Sequence, residues 1–409
     1  MNLQTRMKEI VSFLKPYQSI WQNEIMLLYP QSFDHFNPAW LDEINQIEDM
    51  ELLVQLEKKL HQNVVKSKSL YDFYEGVENL TRFPASPLLP EMPENKYTWL
   101  HIIPKKKHEI KQLGPLINHF YHKNQIERMI DIGGGIGLLS QTISNAYQIK
   151  ITSVDMDAKL QETGRKRHEK NAKGLEKVEF KQIKVSKDEP RFLAELNSKR
   201  MTVGLHTCGP LAVSQIQASV AQKVKTIINL GCCYLKLNEG DDQNLSSFAK
   251  NDPLLLNQYA LTLACGAHRK VSLDSVTFKR SVKYYRYAIH ALLIDKYQRG
   301  DILIFGNSSA KDYHGSFPQY VRGQFEKVGL AVMQSDEELQ SFYEEKLPIV
   351  KRMYAAGFIR DALSRLLEVY LLLDRAIYLE ENNYEVEIVE LFDENISPRN
   401  LAIIAHLRE

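Results

Sequence analysis

Apolar positions along this chain change period twice. Up to about residue 80 they recur at helical spacing, with Leu52, Leu53, Leu56 and Leu60 on one face. Phe13, Tyr17, Trp21 and Tyr29 add aromatic bulk suited to core packing. Pro84, Pro87, Pro90 and Pro93 then recur every third residue, the period of an extended polyproline-type connector. From about residue 104, short apolar runs alternate with helical patterns. The runs Met129–Ile132, Lys150–Val154, Val178–Ile183, Thr202–Leu205 and Thr226–Leu230 predict the strands of a parallel α/β sheet. Residues 241–300 and 318–382 read mainly as helix, and Glu385–Leu391 and Leu401–Ala405 as two further strands. The expected organisation is a helical N-terminal domain over 1–82 and a proline-rich linker over 83–103. An α/β domain follows over 104–409, with mainly helical insertions at about 241–300 and 318–382.

Composition narrows the class. The 409 residues are 44% hydrophobic and 25% charged, the balance of a soluble globular protein with ample core. A net charge of +1 carries no global signature for nucleic acid. The first residues lack the long apolar stretch of a signal peptide. The apolar run from Leu366 to Leu379 is broken by Glu368, Asp374 and Arg375, so it predicts a packed helix rather than a membrane span. Four cysteines are too few for a secreted disulfide framework, so a reducing cytoplasm and no membrane partner are expected.

The segment Arg128–Ser140 carries the strongest chemical signal. An apolar run stops at Asp131, and Gly133, Gly134, Gly135 and Gly137 follow before a helical pattern begins. Glycines without a Cβ let backbone approach a ligand closely and tolerate positive φ. The next apolar run ends at Asp155, which places a carboxylate roughly 20 residues on, the usual offset for gripping ribose hydroxyls. The spacing Gly133-x-Gly135-x-Gly137 is not that of dinucleotide folds. It leaves a methyl donor, another nucleotide and a ligand-free structural turn as readings.

Three later strand ends bear on the same face, because ligands of open parallel sheets lie outside the carboxyl ends of the strands. Val185–Asp188 follows the third strand and offers an adenine pocket. His206-Thr-Cys-Gly209 ends the fourth strand and Gly231-Cys-Cys-Tyr234 the fifth. If those strands are neighbours, His206, Cys208, Cys232, Cys233 and Tyr234 converge. The cysteines read as small packed side chains, as zinc ligands, or as a nucleophile. Adjacent cysteines lack the two-residue spacing of common zinc sites, so no metal is expected. Lys106 and His108, at the start of a helix from Pro104, could reach a donor carboxylate or an acidic substrate, or simply be solvated. Arg269 to Tyr287 interleaves Lys279, Arg280, Lys283 and Arg286 with Tyr284, Tyr285 and Tyr287. That mixture suits single-stranded RNA or, equally, a charged helix with a half-buried tyrosine face.

Together these motifs resemble the class I S-adenosylmethionine-dependent methyltransferases of the methyltransferase-like protein twenty-five family. The resemblance rests on Pro104–Glu109, Asp131–Gly137, His206–Gly209, Gly231–Tyr234, Leu366–Arg375 and Leu391–Asn400. Phe13–Tyr17 and Pro38–Trp40 match more loosely. Pro210 and Leu235 depart from the family pattern, where aspartate and histidine are frequent. The resemblance implies a Rossmann-like, seven-stranded sheet of order 3-2-1-4-5-7-6 and S-adenosyl-L-methionine as cofactor. It implies a donor site at Asp131, Gly133, Gly135, Gly137, Asp155, Asp188 and His206, and an acceptor entering over His206, Cys208 and Tyr234 as the candidate catalytic residues. An aspartate/asparagine-proline-proline-tyrosine motif is missing, which argues against the common amino-methylation of bases. The bulk of the helical regions points to a macromolecular acceptor, RNA or protein, with the basic tyrosine-rich stretch leaning toward RNA. A donor-binding or RNA-binding scaffold without catalysis is the alternative. The sequence is silent on oligomeric state.

Overall fold

A computed structural model describes residues 2–31, 33–94, 99, 102–171, 178–237, 243–266, 271–299 and 308–409. The chain divides into two compact units. The first comprises Met1–Phe13, Leu80–Lys270 and Arg365–Glu409, and the second Leu14–Asn79 and Val271–Ser364.

The first unit is built on a seven-stranded sheet. Its strands are β1 (Arg128–Ile132), β2 (Ile151–Asp155), β3 (Val178–Gln182), β4 (Arg200–Thr207), β5 (Thr226–Gly231), β6 (Tyr384–Glu390) and β7 (Leu401–Leu407). The order is β3-β2-β1-β4-β5-β7-β6, as the family resemblance implies. β1 to β5 pair in parallel, whereas β7 runs antiparallel between β5 and β6. Every residue of β5 is buried, as expected where helices cover both faces of a parallel sheet, and its one side-chain amide, Asn229, donates to Gln215 at 2.8 Å. Ile110, Leu113 and Ile117 of the helix Pro104–Lys123, with Leu139 and Ile143 of the helix Leu138–Tyr147, pack against Met129, Ile151 and Met201. The strand order reverses between β1 and β4, and such a reversal opens a crevice at the carboxyl ends of the strands.

The proline segment is docked rather than free, over the part that is described. Ala85 forms an isolated parallel bridge with Glu390. The Glu390 N–H donates to the Pro84 carbonyl at 2.8 Å, and the Ser86 N–H to the Glu390 carbonyl at 2.9 Å. Met92 is buried in the core cluster. Residues 95–98, 100 and 101 of the expected linker lie outside the described residues.

Among the described residues the elements of the second unit are all helices, and its composition departs from the domains expected above. Residues 14–79 do not stand apart; they pack with 271–364. Charge pairing between distant segments is part of the reason. Lys279, on the helix Leu273–Tyr297, lies 2.8 Å from Glu57 and 3.1 Å from Asp361. Arg352 lies 2.6 Å from Asp42, and the Tyr29 hydroxyl donates to Asp295 at 2.6 Å. The stretch expected as one insertion over 318–382 is split. Phe317–Lys327 and Asp336–Ala362 belong to the second unit, while Ser364–Glu381 enters the first after its opening residue. Leu366, Leu367, Val369, Leu372, Leu373 and Ile377 of that last helix are fully or almost fully buried. Among the described residues, no helix is long and apolar enough to cross a membrane.

Candidate functional site

The glycine loop leaves β1 and turns under the end of β2. Gly133, Gly135 and Gly137 have φ of 68°, 57° and 70°, left-handed values that favour glycine. Gly133 and Gly134 donate to the Val154 carbonyl at 2.9 and 3.1 Å, which fixes the loop to β2. The Gly135 N–H donates to one carboxylate oxygen of Asp155 at 3.0 Å, and the Asp157 N–H to the other at 2.9 Å. A carboxylate has about four lone-pair sites, so two remain at Asp155 for hydroxyl donors. A Cβ built on Gly135 would meet only Leu160 Cδ1, at 4.0 Å, so the space over this turn is open. Leu160 and Met156 are both exposed, the latter by 67%, beside Asp155. Such apolar side chains next to a ribose grip offer a surface for a purine face.

Asp131 sits beneath the loop rather than at its mouth. It is buried and accepts the Ser140 hydroxyl at 2.5 Å. Burial pushes its pKa up to about 6, against the lowering effects of Ser140 and Lys106. A Cβ on Gly134 would come within 2.8 Å of its carboxylate and 2.3 Å of Ser153 Oγ, so Asp131 shapes the loop from below. Asp188 is exposed in the turn before Pro190, six residues beyond the end of β3. Asp155 is tied into the loop by its hydrogen bonds with Gly135 and Asp157.

His206 owes its direction to a break in the ladder. The β4–β5 register shifts between Leu205 and Thr207, and His206 adopts φ of 64° there. Bulges of this kind re-aim one side chain out of a sheet. Its Nε2 lies 2.8 Å from Glu109 Oε1, and Ser397 Oγ donates to the same oxygen at 2.8 Å. Lys106 lies 3.0 Å from the other oxygen of Glu109. Glu109 is fully buried; burial opposes its ionisation, but His206, Lys106 and Ser397 outweigh that and hold its pKa down to about 2. An ionised Glu109 accepts from Nε2–H, which leaves Nδ1 of a neutral His206 as a proton acceptor. Lys106 thus serves Glu109 and Asp131. His108 accepts the Asp393 N–H at 3.1 Å instead of facing the loop. Sequence reasoning quoted Glu109 in a motif but gave it no role; its partner comes from a strand end some hundred residues away.

The cysteines do converge. Cys208 Sγ lies 3.1 Å from Cys232 Sγ, and Cys232 Sγ 3.7 Å from Cys233 Sγ. The Cys232 thiol donates to Cys208 and, with Cys233 and Lys236, draws Cys208 below the usual thiol range against the effect of burial. The neighbouring Cys208 sulfur and burial raise Cys232 correspondingly. Tyr234 departs from its expected role. It is buried, and its hydroxyl lies 3.4 Å from both the Gly231 carbonyl and Glu368. The Arg375 guanidinium sits 5.4 Å from its ring centroid. Burial and Glu368 raise its pKa, so the hydroxyl is an internal strut rather than a group open to an acceptor.

Much of the basic tyrosine-rich stretch is engaged within the second unit, while Arg286 is exposed. Lys279 is held by Glu57 and Asp361, and Lys283 lies 3.9 Å from Glu24. Tyr287 is buried, Tyr284 packs edge-on to Tyr354, and Tyr285 packs against Phe317, Tyr320 and Tyr343. Arg269 and Lys270 lie outside the described residues. A cleft lined by Leu89, Pro90, Pro115, His119 and Tyr147 contains none of the site residues.

Comparison with known proteins agrees with this geometry. Residues 105–240 match a family described as Methyltransferase domain. The chain is 28% identical over 229 residues to "Probable methyltransferase-like protein 25" of Mus musculus, covering 50% of this chain and 37% of that protein. It is 28% identical over 223 residues to the protein of the same name in Homo sapiens, covering 50% and 36%. The matches thus span little more than a third of each curated relative. The sheet order is that of a Rossmann-like class I methyltransferase fold, residues 105–240 are similar to a methyltransferase domain, and half of the chain is similar to methyltransferase-like protein 25.

Proposed function

We propose that this chain transfers a methyl group from S-adenosyl-L-methionine to a macromolecular acceptor, RNA or protein. The observation that carries the reading is Asp155 joined to Gly135 at the strand-order reversal, with open space above the turn. These residues fit the donor: Asp155 would hold ribose hydroxyls, Met156 and Leu160 would cover the adenine, and the left-handed glycines would admit the methionine part. When bound, the donor supplies an electrophilic methyl on a sulfonium, open to in-line displacement. The protein's part is then largely positioning, which is worth roughly 7–11 kcal/mol for well-aligned reactants. Glu109 fixes the tautomer of His206, and Nδ1 can take a proton from an acceptor or orient its lone pair.

The size of the second unit supports a macromolecular acceptor. The internal pairing of Lys279 and Lys283 takes two lysines out of the stretch that leaned toward RNA, while Arg286 stays exposed, and the acceptor remains RNA or protein. A reducing cytoplasmic setting belongs to the same proposal, supported by four cysteines without a disulfide. Calorimetry with the donor and its demethylated product tests the first half. Asp155→Ala should weaken binding by about 1.5–3 kcal/mol, the scale of hydrogen bonds to a charged group. A wild-type protein that binds neither at millimolar concentration would sink the reading. Incubating labelled donor with total RNA and total protein of the source cells tests the second half. Label only in small molecules refutes a macromolecular acceptor, and donor binding without any transfer leaves a scaffold.

A further inference from the structure

We propose that Cys208, Cys232 and Cys233, with Cys265 as fourth donor, form a binding site for a zinc ion. The expectation of no metal came from spacing along the chain. That argument loses its force once the donors come from three separate segments. Cys208 follows β4, Cys232 and Cys233 follow β5, and Cys265 lies at the end of the helix Gln258–Ala264. They are all the cysteines this 409-residue chain has, and none is in a disulfide.

The geometry is that of a chelate. The Sγ atoms of Cys208, Cys232 and Cys233 lie within 4.8 Å of one another. In a tetrahedral zinc–thiolate site with Zn–S of about 2.3 Å, the sulfur–sulfur edges are roughly 3.8 Å. Cys232 and Cys233 already stand at 3.7 Å, and the 3.1 Å between Cys208 and Cys232 needs a modest opening. That shorter separation is well beyond a disulfide bond of about 2.05 Å, so the pair is not covalently joined. Cys265 is beside them: its Sγ reaches the Cys232 carbonyl at 4.0 Å, and it acts electrostatically on Cys233. Thiolate sulfurs this close repel unless a proton or cation lies among them. Thiolates are soft donors, and among the described residues no imidazole or carboxylate joins the cluster, which favours zinc over magnesium or calcium. Lys236, near Cys208, offsets the excess negative charge that three or four thiolates leave on one divalent ion.

Such an ion would tie the ends of β4 and β5 to the segment after Ala264, and so hold the bulge that carries His206. The proposal does not depend on donor binding, and its test contains no donor. The full chain, made without a metal-affinity tag and kept reduced, should contain one zinc by elemental analysis. Metal-free protein titrated with cobalt(II) alone should show the sulfur-to-cobalt charge-transfer and tetrahedral ligand-field bands of a thiolate site. Zinc(II) should then bleach them at one equivalent. Cys208→Ser and Cys233→Ser should each weaken metal binding by roughly tenfold or more, with circular dichroism as the folding control. The cobalt spectrum of the wild type keeps the test decisive even if those variants do not fold. A wild type with no bound metal and an octahedral cobalt spectrum would overturn the proposal. So would a Cys208–Cys232 disulfide in protein kept reduced.

Discussion

Two alanine substitutions two residues apart in the glycine loop should separate stability from ligand binding. Gly135 and Gly137 share the left-handed conformation, with φ of 57° and 70°. A Cβ in that region costs about 1–2 kcal/mol for either residue. Their surroundings differ. At Gly137 the new methyl would stand 2.6 Å from Phe180 Cε1 and 3.0 Å from Cζ. The ring cannot retreat freely, because a Cβ at Gly164 would stand only 2.5 Å from the same Cε1, so the ring is wedged between two glycines. Overpacking of that kind adds about 1–3 kcal/mol. Gly137→Ala should therefore lose about 2–5 kcal/mol of stability, and Gly135→Ala only about 1–2 kcal/mol. The order reverses for the donor, because the Gly135 methyl points into the space a ligand would fill. Gly135→Ala should weaken binding of the demethylated product by at least about tenfold, or about 1.4 kcal/mol. Urea unfolding followed by circular dichroism gives the first comparison, and calorimetry gives the second. Wild-type affinity in Gly135→Ala would show that no ligand approaches this turn. Equal stability of the two variants would show that Phe180 is not wedged.

Two further substitutions probe the groups around the strand ends. The carboxylate of Glu109 is held at about 2 against 4.5 when free, so its stabilising contribution is full above 4.5 and is lost as pH falls toward about 2. Glu109→Gln should remove on the order of 2–3 kcal/mol at neutral pH and narrow the gap to wild type on acidification, read from urea midpoints across pH; a gap that stays constant contradicts the ion-pair account. Tyr234→Phe should cost about 0.5–1.5 kcal/mol of stability and leave methyl transfer intact; a stable variant with transfer reduced by tenfold or more would return the hydroxyl to the chemistry.

The parts of this molecule readable from its residues are those fixed by local chemistry. Gly133, Gly135 and Gly137 all adopt the conformation that makes glycine necessary, and Asp155 meets the loop where the spacing put it. Alternation of apolar runs and helical patterns makes the parallel sheet readable, whereas its strand order came from the family resemblance. What escaped reading depends on partners far along the chain. Lys279 looks like a nucleic-acid contact until Glu57 and Asp361 close on it. Tyr234 looks like a site residue until Glu368 and Arg375 surround it. Periodicity sees helices but not which helices share a core, so 14–79 and 271–364 could not be joined from the pattern alone.

The place of β7 has a consequence for biosynthesis. This strand is the last of the seven in sequence, yet it lies inside the sheet, with β5 on one side and β6 on the other. A ribosome delivers β1 to β5 well before it. Until residues 401–407 leave the tunnel, the nascent sheet carries a raw edge at β5, whose apolar residues are fully buried in the finished fold. Such an edge invites pairing with other chains. Synthesis at roughly 5–20 residues per second leaves β5 waiting on the order of 10–30 s for its neighbour. The yield of folded protein should therefore rise with chaperone co-expression, and a yield that does not change would count against an exposed β5 edge.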